Sequence, residues 1–294
     1  MNMQKKYGYR LHIILYLLPP IILYSIFYYL PLALNIYFSF TRWDYARPPT
    51  WIGLDNYVKL INDPIFIKSL YLTAFYVIGV LGGSIITGTI LAIAINRESK
   101  LALITRVIML IPYMLPEVAA ATAWFIIFAP GPMGYANYIF SLLGMGSSSW
   151  FLDVNLGVPM LIIYSIWKNT GFFALVLYAG LKAIPKDAIE AAYIDGASEF
   201  QTYRKVIIPL LRPMITFLII TTIMSTWFVF GSVYVITKGG PGTATMLTGM
   251  YMYLISFGQN NGGYGAALAV VNTALILGIV YLQIKRFGVG GYGT

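Results

Sequence analysis

Residues 190–209 read Glu190-Ala191-Ala192-Tyr193-Ile194-Asp195-Gly196-Ala197-Ser198-Glu199-Phe200-Gln201-Thr202-Tyr203-Arg204-Lys205-Val206-Ile207-Ile208-Pro209, a polar interval between two strongly apolar blocks. It is too polar to cross a membrane, so it should fold outside the lipid. Upstream, Pro185 suits the first turn of a helix, where its missing N–H is not needed, and Gly196 suits the stop just past the end. Ser198 can cap a second helix while Gln201, three residues on, returns the bond. That helix is expected to carry Phe200, Tyr203, Val206 and Ile207 along one side. In the first helix, Ala188, Ala191 and Ala192 lie on or near one face and let a partner approach the backbone closely. Glu190 offers that partner a carboxylate. Two short helices joined by a glycine elbow make a docking knob.

Around this knob the chain is built for lipid. Hydrophobic residues make up 59% and charged residues 10%, with a mean hydropathy of +0.76, against soluble averages of roughly 45–50% and 25%. The apolar excess comes in blocks of about 20 residues, the length that crosses a hydrocarbon layer of roughly 30 Å. Runs such as Ile85-Ile86 and Ile219-Ile220-Thr221-Thr222-Ile223 do not alternate, which argues against a closed barrel. An all-α membrane protein with six transmembrane helices is expected, at about 11–34, 70–95, 103–128, 158–178, 209–236 and 266–282. The first block lacks a small-residue cleavage site and reads as a retained span, which Pro19, Pro20 and Pro31 are expected to kink. Trp43 to Lys68 reads as an interfacial loop with short helices, and Lys238 to Gly263 as a Gly-rich outer loop.

Of the 19 Lys and Arg, this layout places thirteen on the knob's side and five on the other, with Lys168 inside a span. By the positive-inside rule both termini and the knob are then cytoplasmic. The expected organisation is a cytoplasmic N-terminus at 1–10, a six-span domain at 11–284 containing the loop 182–208, and a cytoplasmic tail at 285–294. The net charge of +9 therefore reports topology and not nucleic-acid binding, because no basic patch is interleaved with aromatics on a soluble domain.

Several chemistries are excluded. The chain has no cysteine and a single histidine, His12, which reads as an interfacial polar residue. It carries no His-Glu-x-x-His, no Gly-x-Ser-x-Gly elbow and no phosphate-binding Gly-x-x-x-x-Gly-Lys-Ser/Thr loop. No catalytic residue, metal site or bound cofactor is expected. A transport cycle would need energy from elsewhere.

Within the spans, Gly79 and Gly83 form a GxxxG face suited to close helix packing. Pro112-Tyr113-Met114-Leu115-Pro116-Glu117 reads as a broken helix with a carboxylate inside it, and Trp167-Lys168-Asn169-Thr170-Gly171-Phe172 as a second polar cluster. Ionisable groups in a span usually face a cavity or a partner group. Amides, carboxylates and aromatic rings suit the hydroxyl edges and C–H faces of sugars. Thr222, Ser225 and Thr226 can line a path or bond their own helix.

Glu-Ala-Ala followed at fixed spacing by Gly196, Val206, Ile208 and Pro209 resembles the EAA loop of permease subunits in binding-protein-dependent ABC importers. Ala179-Gly180-Leu181-Lys182-Ala183-Ile184-Pro185 and Gly239-Gly240-Pro241-Gly242 resemble the carbohydrate branch, which includes the maltose permease subunits. The likeness covers nearly the whole chain. It implies a type I ABC importer permease fold in the cell membrane, with Glu190, Ala191, Ala192, Asp195, Gly196 and Pro209 coupling to a separate ATPase. It also implies a second related permease, two ATPase subunits that hold ATP and Mg, an extracytoplasmic binding protein and a carbohydrate substrate. Tyr113, Glu117, Lys168, Asn169, Phe172, Thr222 and Thr226 match positions that line a sugar site in that branch, and Trp167 joins them as part of the polar cluster. Several side chains depart from the pattern, which leaves the sugar open. Lys168 offers a charge to an acidic sugar, Glu117 offers a carboxylate to hydroxyls, and the two offer each other an ion pair. An alternative, an ion-gradient-driven secondary transporter, would need coupling carboxylates and usually an internal repeat. Glu117 is the only acidic residue clearly within a span, and no repeat is evident.

Overall fold

The structure, a computed structural model, describes residues 15–96 and 99–287. Lys5, Lys6, Arg10, His12, Arg97 and residues 288–294 of the expected tail lie outside the described residues. Helix α1 runs Leu15–Ser39, and a hairpin pairs β1 (Thr41–Arg42) with β2 (Thr50–Trp51). There follow α2 (Asp55–Ile61), α3 (Pro64–Ile95), α4 (Lys100–Ile108), α5 (Ile111–Met114), α6 (Glu117–Ile127), α7 (Tyr135–Leu142) and α8 (Gly157–Ala183). The remainder comprises α9 (Lys186–Ile194), α10 (Glu199–Leu210), α11 (Arg212–Trp227), α12 (Gly231–Ile236), α13 (Thr248–Tyr253) and α14 (Gly262–Phe287). Among the described residues, α1, α3, α8 and α14 are each long and apolar enough to cross a membrane. The bent pairs Lys100–Met114 with Glu117–Ile127 (94°) and Glu199–Leu210 with Arg212–Trp227 (61°) bring the count to six if each is one span.

The chain divides into two compact units, Met1–Asp63 with Met252–Ala274, and Pro64–Tyr251 with Leu275–Thr294. In the first, α1 exposes apolar side chains all round, the pattern of a helix covered by lipid. Its prolines do not break it. Pro19 and Pro20 lie within continuous helix, and ahead of Pro31 a π turn at Ser25–Tyr29 lets the Leu30 N–H bond the Ser25 carbonyl. The segment read as an interfacial loop with short helices holds α2 and, at its start, the short hairpin, anchored by buried Asn56, whose Nδ2 donates to the carbonyls of Ser39 and Thr41, both at 2.9 Å. In the connecting turn, the Arg47 N–H on the Asp44 carboxylate (2.9 Å) holds that carboxyl below its usual pKa. Tyr264, at the start of α14, is buried, donates its hydroxyl to Asp63 at 2.6 Å and carries Lys59 Nζ 4.4 Å above its ring.

The second unit is built on α3 packed along α8. A Cβ added at Gly79 would meet Ile162 Cδ1 at 2.7 Å, one at Gly83 would meet Ile166 Cδ1 at 2.1 Å, and one at Gly88 would meet Phe173 Cβ at 2.5 Å. The GxxxG face expected from the sequence is therefore a helix contact, extended by Gly88. Two hydroxyl pairs cross the same seam, Tyr76 to Ser165 at 2.6 Å and Thr87 to Thr170 at 2.8 Å. Gly171 of α8 seats the turn between α4 and α5, since a Cβ there would stand 1.8 Å from the Met109 carbonyl oxygen.

The first bent pair breaks at proline. Pro116 lacks an N–H and drives Leu115 out of the helical region, to ψ 138°. The expectation of a broken helix at 112–117 holds. The second break corrects the expected fifth span. It does not run from Pro209 to Ile236: α10 already contains Pro209, the chain bends before α11, and helix ends at Trp227 before α12 resumes at Gly231. The expected Gly-rich loop 238–263 is not irregular throughout: it contains α13 and a buried stretch. Residues 244–251 are all buried, with Ala244, Met246, Leu247, Met250 and Tyr251 supplying apolar side chains to the core. Polar groups in this segment find partners: the Thr248 N–H bonds Thr73 Oγ1 (2.9 Å), Thr248 Oγ1 donates to the Trp227 carbonyl (3.1 Å) and Thr245 Oγ1 to Thr237 Oγ1 (2.7 Å). A glycine-rich composition hid a satisfied, buried segment.

Gly88→Leu is expected to lower the unfolding midpoint of the detergent-purified protein by the equivalent of about 1–3 kcal/mol. The clash is with Phe173 Cβ and the Ala174 backbone, which have no flexible end to move aside. Gly82→Leu, where an added Cβ meets nothing, should stay within about 0.5 kcal/mol of wild type.

Candidate coupling knob and translocation path

The knob forms as its sequence dictates. Pro185 stands at the N-cap of α9, and Asp187 in the first turn complements the helix dipole. At the other end Gly196 has φ +79°, its N–H bonds the Tyr193 carbonyl (3.0 Å), and the Ala197 N–H bonds the Ala192 carbonyl (3.0 Å). This is a Schellman stop, which glycine allows without a Cβ penalty. Two residues on, Gln201 N–H donates to Ser198 Oγ (3.3 Å) while Ser198 N–H donates to Gln201 Oε1 (2.9 Å), the reciprocal capping box.

A small core of Ile184, Ile207 and Leu211, with Leu181, Ile189, Tyr203 and Ile215 packed on it, fixes the knob to the ends of α8 and α11. Glu190, Ala191 and Asp195 face outward, Ala192 is half-buried and Pro209 is exposed on α10. The expected row Phe200, Tyr203, Val206, Ile207 divides. Ile207 is buried, Tyr203 and Val206 are half-buried, and Phe200 is 72% exposed. A π turn over Tyr203–Ile207 advances each residue by less than an α turn does, so the later residues rotate away from Phe200. Ile194 at 84% and Tyr193 at 51% exposure are further uncovered apolar side chains of the knob, at the end of α9 that carries exposed Glu190. Sequence reasoning missed Ile194 and Tyr193. Their signal was a large apolar pair at the end of a helix otherwise faced with alanine.

The candidate path residues fall into three groups. Tyr113 and Glu117 are exposed at the α5–α6 break. Trp167, Lys168, Asn169 and Phe172 are half-buried on α8, and Thr222 and Thr226 are buried in α11. Tyr113 stacks on Phe172 with ring centroids 4.8 Å apart and planes 10° from parallel, which joins the first two groups. Trp167 lies beside Trp124 (5.3 Å) and Tyr164 (6.2 Å). Trp167 and Pro112 also line a mostly apolar cleft of about 380 Å³ that reaches Thr87, Met109 and Thr170.

Glu117 and Lys168 do not pair with each other; each closes a gap in a helix. Lys168 Nζ donates to the Leu115 carbonyl at 2.7 Å and to the Pro112 carbonyl at 3.3 Å, two acceptors freed where α5 ends ahead of α6. Glu117 Oε1 accepts from the Ser232 N–H (3.0 Å) and from Ser232 Oγ (2.8 Å), which ties α6 to the start of α12. The Tyr164 hydroxyl donates to the Glu117 carbonyl at 3.3 Å. Asn169 Nδ2 turns back to the Ser165 carbonyl (2.8 Å), and Thr226 Oγ1 to the Thr222 carbonyl (2.6 Å). Ser232 was not legible as a partner of Glu117, because 115 residues separate them.

Comparison with known proteins agrees in fold and sequence. A sulfoquinovosyl glycerol transport system permease protein of Agrobacterium fabrum is 33% identical over 285 residues, covering 95% of this chain and 92% of that one. A trehalose/maltose transport system permease protein of Thermococcus litoralis is 32% identical over 297 residues, covering 97% and 98%. A probable ABC transporter permease protein of Pyrococcus horikoshii is 35% identical over 273 residues, covering 92% and 93%. In fold, the chain superposes with a TM-score of 0.83 on a chain of a bacterial ABC transporter that imports the acidic polysaccharide alginate, at 23% identity and 97% coverage of each. Residues 84–287 match the binding-protein-dependent transport system inner membrane component. This chain belongs to that family of membrane-embedded permease components.

Proposed function

We propose that this chain is the transmembrane subunit of an ATP-driven importer for a sugar or oligosaccharide delivered by an extracytoplasmic binding protein. It forms one half of a pore with a second, related permease, and both termini and the knob lie in the cytoplasm with six spans between them. Two relatives above 30% identity bear sugar names. The observation that carries the coupling role is the knob: a doubly capped pair of short helices that leaves Tyr193, Ile194, Phe200 and Glu190 exposed. Exposed apolar anchors of this kind suit a helix seated in a groove, here in a separate ATPase subunit. Nucleotide and docked binding protein would then shift the permease between inward-open and outward-open states by their differential affinity for the two.

The translocation path takes its sugar-facing surface from Tyr113, Phe172 and Trp167, whose rings suit the C–H faces of a pyranose. Glu117, Lys168 and Asn169 hold that surface in place, Glu117 with one oxygen left for a sugar hydroxyl, while Thr222 and Thr226 are buried in α11 and Thr226 bonds its own helix.

Affinity purification of the tagged protein from native membranes should recover a second permease and an ATPase, with hydrolysis stimulated by loaded binding protein. A chain that purifies alone and transports under an ion gradient in liposomes would overturn the importer reading.

Gly196→Leu and Glu190→Arg should abolish transport while leaving insertion intact. Immunoblotting of washed membranes checks the second point, and wild-type uptake by either inserted variant would refute the coupling role. Because Lys168 holds helix carbonyls, Lys168→Ala should reduce uptake of neutral and acidic sugars by the same factor; a loss confined to acidic sugars would show instead that Lys168 meets the ligand.

A further inference from the structure

Helix α7 and its flanks carry a surface that neither the knob nor the path uses. Met133, Tyr135, Tyr138, Ile139, Leu142 and Leu143 are all more than half exposed, from 56% at Ile139 to 87% at Met133. The other side of the helix is pinned. Buried Asn137 directs Nδ2 at the carbonyls of Ala129 (3.1 Å), Gly131 (3.0 Å) and Ser148 (2.9 Å), and its Oδ1 accepts from the Ser148 N–H and Trp150 Nε1, both at 2.9 Å. Phe140 packs against Trp150 (5.1 Å), which in turn packs against Phe128 (5.2 Å). Every hydrogen-bonding position of Asn137 is used, so the helix cannot roll to hide its apolar face.

Two further features say what covers it. From Val118 to Leu152 the sequence holds no Asp, Glu, Lys, Arg or His, so the surface offers no charge to a protein partner. Residues 128–134 alone separate α7 from α6, the second half of a bent membrane-crossing pair, so α7 is tethered within seven residues of the end of that pair. Tyr135 and Tyr138 add the amphipathic rings typical of the bilayer interface. We infer that α7 lies in the headgroup–acyl boundary of the membrane as an interfacial helix, recognising lipid through apolar area and not through headgroup charge. It moors the connection between α6 and α8 to the bilayer surface. The inference rests on the membrane-crossing role of α6 and is independent of which solute is carried.

The chain has no cysteine, so single cysteines introduced by Ile139→Cys and Leu142→Cys can be spin-labelled in the permease assembled with cysteine-free partners in phosphatidylcholine nanodiscs. Both labels should collide with oxygen in preference to a water-soluble nickel chelate, at a depth of about 5–10 Å, and should be unchanged by anionic lipid. Ile22→Cys on α1 tests the membrane assignment separately, and Lys100→Cys at the exposed start of α4 supplies the aqueous reference. Labels at 139 and 142 open to nickel in nanodiscs would overturn the inference; protection from nickel only on adding loaded binding protein would assign the face to protein docking. Should the variants misfold, wild-type protein in lipid bearing an acyl-chain diazirine should be cross-linked within 133–145. Cross-links on α1 with none in that segment would equally overturn the inference.

Discussion

A broken helix inside a membrane must find internal partners for the N–H and C=O groups it frees, since lipid offers none. The middle of this protein depends on that constraint. Where α5 ends ahead of α6, Lys168 takes the carbonyls of Pro112 and Leu115. Where α11 stops, Thr248 takes the Trp227 carbonyl. Where α12 begins, Glu117 receives the Ser232 N–H. Each bond joins segments distant in sequence, so closing the breaks also ties α8 to the turn before α6, α6 to α12, and α11 to the start of α13.

Close approach makes those bonds possible. Gly79, Gly83 and Gly88 let α3 lie on α8, and Gly171 lets α8 reach the Met109 carbonyl. Side chains at these positions would hold the helices apart and move Lys168 away from the acceptors it now reaches. With the seam closed, Tyr113 and Phe172 stack, and Trp167 lies against Trp124 and Tyr164. The glycines act on the path without touching it.

The knob obeys local rules. Its stop and its cap are each set within six residues, and only Ile184, Ile207 and Leu211 tie it to the spans. An element of this kind can be gripped from outside without depending on the details of the path. That separation suits a family whose members carry different solutes on one scaffold.

The sequence by itself determined the elements whose physics is local: the apolar blocks, the proline break at 112–117, the glycine packing face, the Gly196 stop and the Ser198–Gln201 box. Each rests on hydrophobic length, a missing N–H, a missing Cβ or a short-range hydrogen bond, all visible within a few residues. Only the tertiary structure decided where the polar groups of the spans point. That Glu117 meets Ser232 and not Lys168, that 244–251 is buried, and that Ile194 and Phe200 stand uncovered depend on contacts between distant segments. The sequence carries the charges and apolar groups that make such contacts, but their pairing is settled when the helices pack and each buried polar group must find a partner.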